Sequence, residues 1–167
     1  MNLILIGMPA CGKSCMGRAI AKKMNMSLLD TDRLIESNTG RALQDIINED
    51  GLDAFKRIEE ETLLGINCTN TIISTGGSAV YSKSAMLHLK EIGTVIYLFV
   101  GLDLIKKRLG DFSKRGVVLA PGKTIDDLFI ERTALYEKYA DIVVNCNGNS
   151  YPKYQASLIE AVNNRRL

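Results

Sequence analysis

Residues 7–14 read GMPACGKS and match the pattern G-x-x-x-x-G-K-S in full. Glycines in such a loop let successive backbone N–H groups turn toward phosphate oxygens, and a helix starting behind the loop adds partial positive charge. Lys13 is then placed to reach the β and γ phosphates of a nucleotide, and Ser14 to bind Mg²⁺. The alternative is a glycine-rich turn that binds nothing. It is disfavoured because the motif matches in full and lies between a strand pattern and a helix pattern.

Asp30 and Asp32 follow a second short apolar segment. Alternation along an extended backbone would point both carboxylates the same way. One carboxylate near a metal can orient its water ligands, and another can accept a proton from an attacking hydroxyl. Taken alone, Asp32 would be interpreted as the cap of the following helix. The phosphate-binding motif upstream favours the chemical interpretation.

Alternating strand and helix patterns surround these residues. Residues 3–6 are a continuous apolar run, which is typical of a strand covered on both faces. Met16, Ile20 and Met24 recur at a spacing of four, which predicts a helix from about Lys13. Further strands are predicted at 27–29, 71–74, 94–100 and 141–144. Further helices are predicted at 52–67, 84–91, 102–109, 124–139 and 152–164.

Such alternation predicts an α/β fold with a parallel sheet and helices on both faces, so ligands should bind beyond the carboxyl ends of the strands. Thr124 and Asp127 fit a capping box, which predicts where one helix starts. Residues 110–123 combine Gly, Pro, Lys and Arg without periodicity. We interpret them as a mobile lid.

Length and composition indicate one globular domain, residues 1–167. The net charge of +2 gives no overall attraction to nucleic acid or to an anionic membrane, so neither is expected as a partner. The apolar opening is interrupted by Gly7, Pro9 and Lys13, which favours a buried strand over a signal peptide. No other apolar stretch approaches the roughly 20 residues of a membrane span. We therefore expect a cytoplasmic protein.

The cysteines, at positions 11, 15, 68 and 146, form no C-x-x-C pair. With His88 as the single histidine, reduced thiols are favoured over a zinc site. A redox role for Cys11 and Cys15 is disfavoured because their spacing is not that of a disulfide-exchange motif. His88 lies among Met86, Leu87 and Leu89 and is interpreted as structural or exposed.

Six motifs occur in the order seen in shikimate kinases: residues 7–14, then DTD at 30–32, FKRIE at 55–59, TGG at 75–77, KR at 114–115 and ERTALYE at 131–137. Over nearly its whole length the chain resembles that family. The resemblance implies a P-loop NTPase-like three-layer α/β/α fold, with a five-stranded parallel sheet of order 2-3-1-4-5 and a lid that closes over ATP. It also implies a monomer, a substrate-binding helical region at about 32–62, and transfer of the γ-phosphoryl of ATP to the 3-hydroxyl of shikimate.

The resemblance also implies roles for single residues. Asp32 would contact the substrate diol and help deprotonate it, and Asp30 would hold Mg²⁺ through water together with Ser14. Gly76 and Gly77 would present backbone N–H groups to the substrate. Arg132 would bind the substrate carboxylate through its planar guanidinium.

On the nucleotide side, the resemblance implies that Arg115 in the lid steadies charge on the transferring phosphoryl group. Arg108 would lie against the adenine ring, and residues 146–152 would close the other side of that ring. The loop residues expected to contact the nucleotide are Ala10, Cys11, Gly12, Lys13, Ser14 and Cys15.

The sequence departs from the family pattern in four places. Lys56 replaces an arginine that would bind the substrate carboxylate, and Ser78 replaces a third glycine. The lid reads RGVV at 115–118 where R-P-L-L is usual, and Cys15 replaces a threonine. Lysine offers a point charge where arginine offers a fork, so carboxylate recognition should be altered.

Because Lys56 and Ser78 fall on the acceptor side, two alternatives to shikimate phosphorylation stay open. One is a kinase for another hydroxylated acid or a polyol. The other is a nucleotide-binding protein without turnover, which intact Lys13, Asp30 and Asp32 disfavour. A GTPase is disfavoured because no N-K-x-D sequence occurs.

Overall fold

In a computed structural model of the chain, residues 1–110, 122–148 and 150–165 are described. The strands are β1 (Asn2–Ile6), β2 (Ser27–Asp30), β3 (Thr71–Ser74), β4 (Gly93–Phe99) and β5 (Ile142–Asn145). The helices are α1 (Lys13–Met24), α2 (Thr31–Thr39), α3 (Leu43–Asp50), α4 (Leu52–Leu64), α5 (Lys83–Ile92), α6 (Leu102–Leu109), α7 (Ile125–Tyr139) and α8 (Tyr151–Arg165), with a 3₁₀ turn at Ala79–Tyr81. The predicted strands and helices are each present, with ends that differ by at most three residues.

The five strands form one parallel sheet in the order β2-β3-β1-β4-β5, which confirms the predicted α/β fold and strand order. β1 lies in the middle and all five of its residues are buried. Its last residues pair with Ser74 of β3 and Tyr97 of β4. The loops that follow β1, β2 and β3 therefore open at the same edge of the sheet, where the phosphate-binding motif also lies.

At the opposite edge of the sheet, where the strands begin, the side chain of Asn2 connects neighbouring segments. Asn2 is 1% exposed. Its Nδ2 donates to the carbonyl oxygens of Cys68 (2.7 Å) and Ile92 (3.1 Å), and its Oδ1 accepts from the N–H of Thr71 (3.0 Å). The buried amide is thus satisfied by segments before β3, at its start and before β4.

A second, smaller apolar cluster joins α2, α3 and α4 through Ile35, Ile46 and Phe55. These helices cover the region around 32–62 in which a substrate-binding helical unit was expected. Because Phe55 is buried in this cluster, the neighbouring Lys56 is held at a defined position on α4. The cluster therefore supports the acceptor side of the site.

The prediction that an extended backbone carries Asp30 and Asp32 was wrong. Asp30 ends β2 and caps α2, and the helix begins at Thr31, so no extended segment carries the two carboxylates. Asp30, and not Asp32, is the cap, because its Oδ1 accepts from the N–H groups of Asp32 (3.2 Å) and Arg33 (3.5 Å). The predicted capping box of α7 is confirmed at Thr124 and Asp127.

None of the helices in the described ranges is long and apolar enough to cross a membrane. The predicted lid falls mainly on residues 111–121, which lie outside the described residues, as do Arg115 and the RGVV sequence.

Candidate active site

The phosphate-binding motif forms the turn between β1 and α1. Gly12 has φ +103° and precedes α1, and Ala10 has φ +62°, a left-handed conformation that is uncommon for alanine. The buried side chain of Lys13 folds over the turn, where its Nζ donates to the carbonyl oxygens of Gly7 (2.8 Å) and Met8 (2.9 Å). The ammonium group is therefore fixed inside the motif.

A cavity of about 350 Å³ opens in front of this turn. Its walls include the predicted nucleotide-binding residues Ala10, Gly12, Lys13, Ser14 and Cys15, together with Asp30, Asp32, Gly77 and Arg18. Residues from the ends of β1, β2 and β3 thus meet in one space. Arg18 was not predicted, and its place one helical turn after Ser14 was the available signal.

Ser14 and Asp30 form a pair of oxygen donors at one wall of this cavity. Oγ of Ser14 donates to Oδ2 of Asp30 at 3.0 Å, while the other carboxylate oxygen caps α2. Within the described residues no group of three or more His, Cys, Asp or Glu side chains could hold a metal. Two side-chain oxygens suit Mg²⁺, which keeps several water or phosphate ligands, so the residues fit that ion.

Asp32 lies in the first turn of α2 and faces the same cavity. Burial raises the pKa of its carboxyl to about 6, although the Lys13 ammonium opposes the shift and Asp30 adds to it. At neutral pH the carboxyl is therefore mostly ionised and is a stronger base than an ordinary aspartate. Such a group suits proton abstraction from a hydroxyl.

Gly76 lies where two carboxylates meet. A Cβ atom at this position would be 2.5 Å from Oε1 of Glu59 and 2.8 Å from Oδ1 of Asp32, so a side chain here would displace these carboxylates. Its N–H donates to Oγ1 of Thr31 at 3.2 Å. Gly76 therefore contributes by lacking a side chain, whereas the expectation was that its N–H would be presented to the substrate.

The hydroxyl of Ser78, which replaces the third glycine of the family pattern, is turned to a neighbouring acid. Its Oγ donates to Oε2 of Glu59 at 2.6 Å. Burial raises the pKa of Glu59 to about 7; the Ser78 hydrogen bond opposes this shift, and the nearby Asp32 adds to it. The serine therefore stabilises a carboxylate that lies in an unfavourable environment.

Tyr81 contacts both of the predicted carboxylate-binding cations. Nζ of Lys56 is 5.1 Å from the ring centroid and Cζ of Arg132 is 5.2 Å from it, distances typical of cation–π contacts. Nε of Arg132, which is 1% exposed, also donates to the Tyr81 hydroxyl at 3.2 Å. Lys56, Ser78 and Tyr81 line a second cavity of about 200 Å³.

Gly77 lines the cavity that holds Lys13 and Asp32. A Cβ atom there would be 2.9 Å from Nη1 of Arg132, and the Gly77 carbonyl accepts a 2.6 Å hydrogen bond from the Tyr136 hydroxyl. Arg132 is thereby placed close to the cavity that holds Lys13 and Asp32. The structure thus brings the predicted acceptor residues Lys56, Gly76, Gly77, Ser78 and Arg132 to one region.

Arg108 lies on the other side of the phosphate-binding turn. Its Nη1 donates to the carbonyl oxygens of Ala10 (3.4 Å) and Cys11 (3.5 Å). It lines a third cavity, of about 240 Å³, with Cys11, Cys146 and Tyr151 among the other walls. Burial raises the pKa of the Cys146 thiol to about 12, so this wall is uncharged. A flat apolar ring suits such a space.

A family model of shikimate kinase matches residues 9–163. The chain belongs to the shikimate kinase family. A shikimate kinase from Bacillus anthracis is 33% identical over 165 residues, which cover 97% of this chain and 98% of the relative.

Solved structures of shikimate kinases share the fold. The enzyme from Aquifex aeolicus has a TM-score of 0.87 at 26% identity, covering 100% of this chain and 99% of that one. The enzyme from Acinetobacter baumannii, solved in complex with shikimate, has a TM-score of 0.89 at 24% identity, covering 99% and 94%. The second likeness concerns the fold alone.

Several features of this shikimate kinase family member were missed by sequence reasoning. No motif marks Tyr81, whose ring contacts both cations. The residue predicted to act from the lid, Arg115, lies outside the described residues. All four cysteines are free thiols, and Cys11 is buried whereas Cys15 is exposed. His88 contacts the Ile66 carbonyl oxygen through Nε2 at 2.9 Å, as a structural residue would.

Proposed function

We propose that the chain transfers the γ-phosphoryl group of ATP to the 3-hydroxyl of shikimate. The observation that carries the proposal is that Lys13, Ser14 and Asp32 line the same cavity, of about 350 Å³. Nucleotide phosphates held by the first two would meet a hydroxyl held by the third. The proximity of Lys56 and Arg132 supports an anionic acceptor, because both cations lie over the same Tyr81 ring.

In this proposal the main-chain N–H groups of residues 10–14 bind the phosphates, and Lys13 neutralises their charge. Asp32 accepts the proton of the acceptor hydroxyl. Arg132 and Lys56 orient the acceptor carboxylate, and Arg108 contacts the adenine. Ser14 and Asp30 would hold Mg²⁺, which supplies positive charge to the phosphate oxygens. Arg115 is proposed to stabilise the transferring group.

The test is direct. Purified protein is incubated with ATP, Mg²⁺ and shikimate, and ADP release is followed. No release above background at millimolar shikimate would contradict the proposal. A panel of other hydroxy acids and polyols then tests an acceptor other than shikimate, which the Lys56 and Ser78 positions favour as the second candidate. ATP binding without turnover on any acceptor would indicate a silent nucleotide-binding protein.

We further propose that the protein acts as a monomeric single domain in the cytoplasm, without a nucleic-acid or membrane partner. The net charge of +2 and the free thiols support this setting. Light scattering coupled to size-exclusion chromatography measures the mass in solution. A mass of twice 18.4 kDa, or of a higher multiple, would contradict the monomer.

A further inference from the structure

We infer that the cavity between α1, β2 and α2 binds an α-amino acid with an apolar side chain, and that this ligand competes with Mg²⁺. The cavity has a volume of about 540 Å³, and it shares Ser14, Asp30 and Asp32 with the active-site cavity. Such a volume is typical of small-molecule sites. Binding of the amino acid does not depend on the proposed function, whereas its effect on turnover does.

The apolar wall of this cavity consists of Leu28 and Leu29 on β2 and Leu34 on α2. β2 lies at one edge of the sheet. Leu28 is 38% exposed, and its Cδ1 would be 3.0 Å from a Cβ atom at Gly17, so its side chain lies against α1. An apolar ligand group that covers these leucines removes their exposed surface from water, which favours binding.

Two exposed arginines, Arg18 on α1 and Arg33 on α2, line the same cavity. Nε of Arg18 donates to the carbonyl oxygen of Ser14 at 3.2 Å, which holds the guanidinium group beside the cavity. The side chain of Arg33 has no hydrogen bond, and neither arginine has an ion pair, within the described residues. Planar guanidinium groups suit a carboxylate, which can accept hydrogen bonds from both.

Asp30 and Asp32 supply carboxylates to the wall of the same cavity. In the part of the chain that the structure describes, neither forms a salt bridge with Arg18 or Arg33. Cations and carboxylates therefore line one space without neutralising each other by direct contact. A ligand with both charges can bridge them, because its ammonium group donates to the carboxylates while its own carboxylate accepts from the arginines.

The three kinds of wall identify the ligand class. An α-amino acid carries its carboxylate, its ammonium group and its side chain on one carbon atom, so each group can meet a different wall. A simple anion would leave the aspartates unpaired and would add a like charge beside them, which is unfavourable. The cavity is therefore complementary to a zwitterion with an apolar side chain.

The ammonium group and Mg²⁺ would bind the same carboxylate. Oγ of Ser14 and Oδ2 of Asp30, which are 3.0 Å apart, are the two oxygens proposed for the metal. Two cations beside one carboxylate repel each other. The amino acid and Mg²⁺ should therefore lower each other's affinity, and by the same factor.

The binding test is calorimetric and uses the full chain without nucleotide. L-leucine and L-phenylalanine are the probes, and saturable binding of at least one of them is expected at millimolar concentration. Leucinamide, which lacks the carboxylate, and 4-methylpentanoate, which lacks the ammonium group, should each bind about tenfold more weakly than L-leucine. Equal affinity for 4-methylpentanoate would indicate a simple anion site and overturns the inference. The absence of saturable binding of both probes also overturns it.

Arg33→Ala removes one cation of the cavity but keeps the main-chain N–H that donates to Asp30. It should weaken the binding of L-leucine about tenfold, as for loss of a hydrogen bond between charged groups. Lys22→Ala, which removes an exposed cation of α1, is the matched control and should bind as wild type does. Undiminished binding in Arg33→Ala would place the amino acid elsewhere and overturns the inference.

Competition with Mg²⁺ is measured in two ways. In calorimetry, Mg²⁺ with ADP should weaken L-leucine binding more than ADP alone, and equal weakening overturns the competition. In an enzyme that phosphorylates shikimate, L-leucine should raise the Mg²⁺ concentration needed for half-maximal activity. Arg33→Ala should lose this rise while its rate without amino acid stays that of wild type. Wild-type protein that binds L-leucine but leaves shikimate unphosphorylated overturns the proposed function and retains the amino-acid site.

Discussion

The Ser14 hydroxyl lies 3.0 Å from Oδ2 of Asp30 and donates a hydrogen bond to it, across 16 residues of chain. The contact joins the start of α1 to the end of β2, and the other oxygen of Asp30 caps α2. One aspartate thus performs two tasks, since it stabilises a helix and supplies an oxygen to the proposed magnesium site. The two tasks can be separated by substitution.

Asp30→Asn should raise the Mg²⁺ concentration needed for half-maximal activity about tenfold, because an amide oxygen is a weaker ligand for a hard cation. The free energy of unfolding should change by less than about 0.5 kcal/mol, since asparagine caps a helix as well as aspartate. Activity is titrated with Mg²⁺ at fixed ATP, and stability is measured by urea unfolding. Asp45→Asn, at an exposed site in the first turn of α3, is the control. An unaltered Mg²⁺ requirement would remove Asp30 from the metal site.

Asp32→Asn should lower kcat by about 100-fold or more, because it removes the proposed proton acceptor. Binding of ATP should stay within about twofold of wild type, since the phosphate-binding turn is unchanged. Steady-state ADP release and an equilibrium nucleotide titration separate the two effects. Asp53→Asn, in the first turn of α4 and exposed, should leave both unchanged. Near-normal kcat in Asp32→Asn would exclude the role of Asp32 as base.

Arg108→Ala should raise the Kd for ATP about tenfold, because the guanidinium both lines the cavity proposed for adenine and donates to two carbonyls of the phosphate-binding turn. The KM for the acceptor should not change. Lys107→Ala on the same helix removes an exposed cation and is the matched control. Equal nucleotide affinity in the two variants would place adenine elsewhere.

Glu59 should make the fold less stable as pH rises. Its pKa is about 7 in the folded protein against an ordinary 4.5, so the native state binds more protons than the unfolded state between these values. Stability from this group is therefore highest below pH 4.5 and is lost as pH rises through 7. The expected loss between pH 5 and pH 8 is roughly 2 to 3 kcal/mol.

Urea unfolding at pH 5 and pH 8 measures this effect, with Glu59→Gln as the comparison because glutamine does not titrate. Asp32, whose pKa is also raised, contributes in the same direction to both proteins. The difference between wild type and variant should therefore depend on pH. A parallel pH dependence of the two would show that Glu59 keeps an ordinary pKa.

The sheet could be predicted from sequence because its buried strands are short, continuous apolar runs. The local sequence of β1 and of β4 is enough to predict each strand. The phosphate-binding motif then predicts the connection from β1 to α1. The start of α2 was harder to predict from the sequence. β2 ends at Asp30 and α2 begins at Thr31, and no glycine or proline marks this direct change from strand to helix.

The contacts within the acceptor region could not be derived from spacing. Glu59 and Ser78 are 19 residues apart, and their bond depends on how α4 packs beside the turn after β3. In the same way, Lys56 lies over Tyr81 because Phe55 anchors its helix. Motifs identify the residue types at such a site, whereas the rotamers that connect them are set by tertiary packing.

The amide of Asn2 also carries a consequence for synthesis of the chain. A ribosome makes Asn2 before any of its partners, and the bond to the Ile92 carbonyl can form only after more than half of the chain has emerged. Until then β1, the central strand, lacks its neighbour β4. The nascent amino-terminal half therefore exposes an apolar strand. We expect chaperone binding to this strand to matter most during that interval.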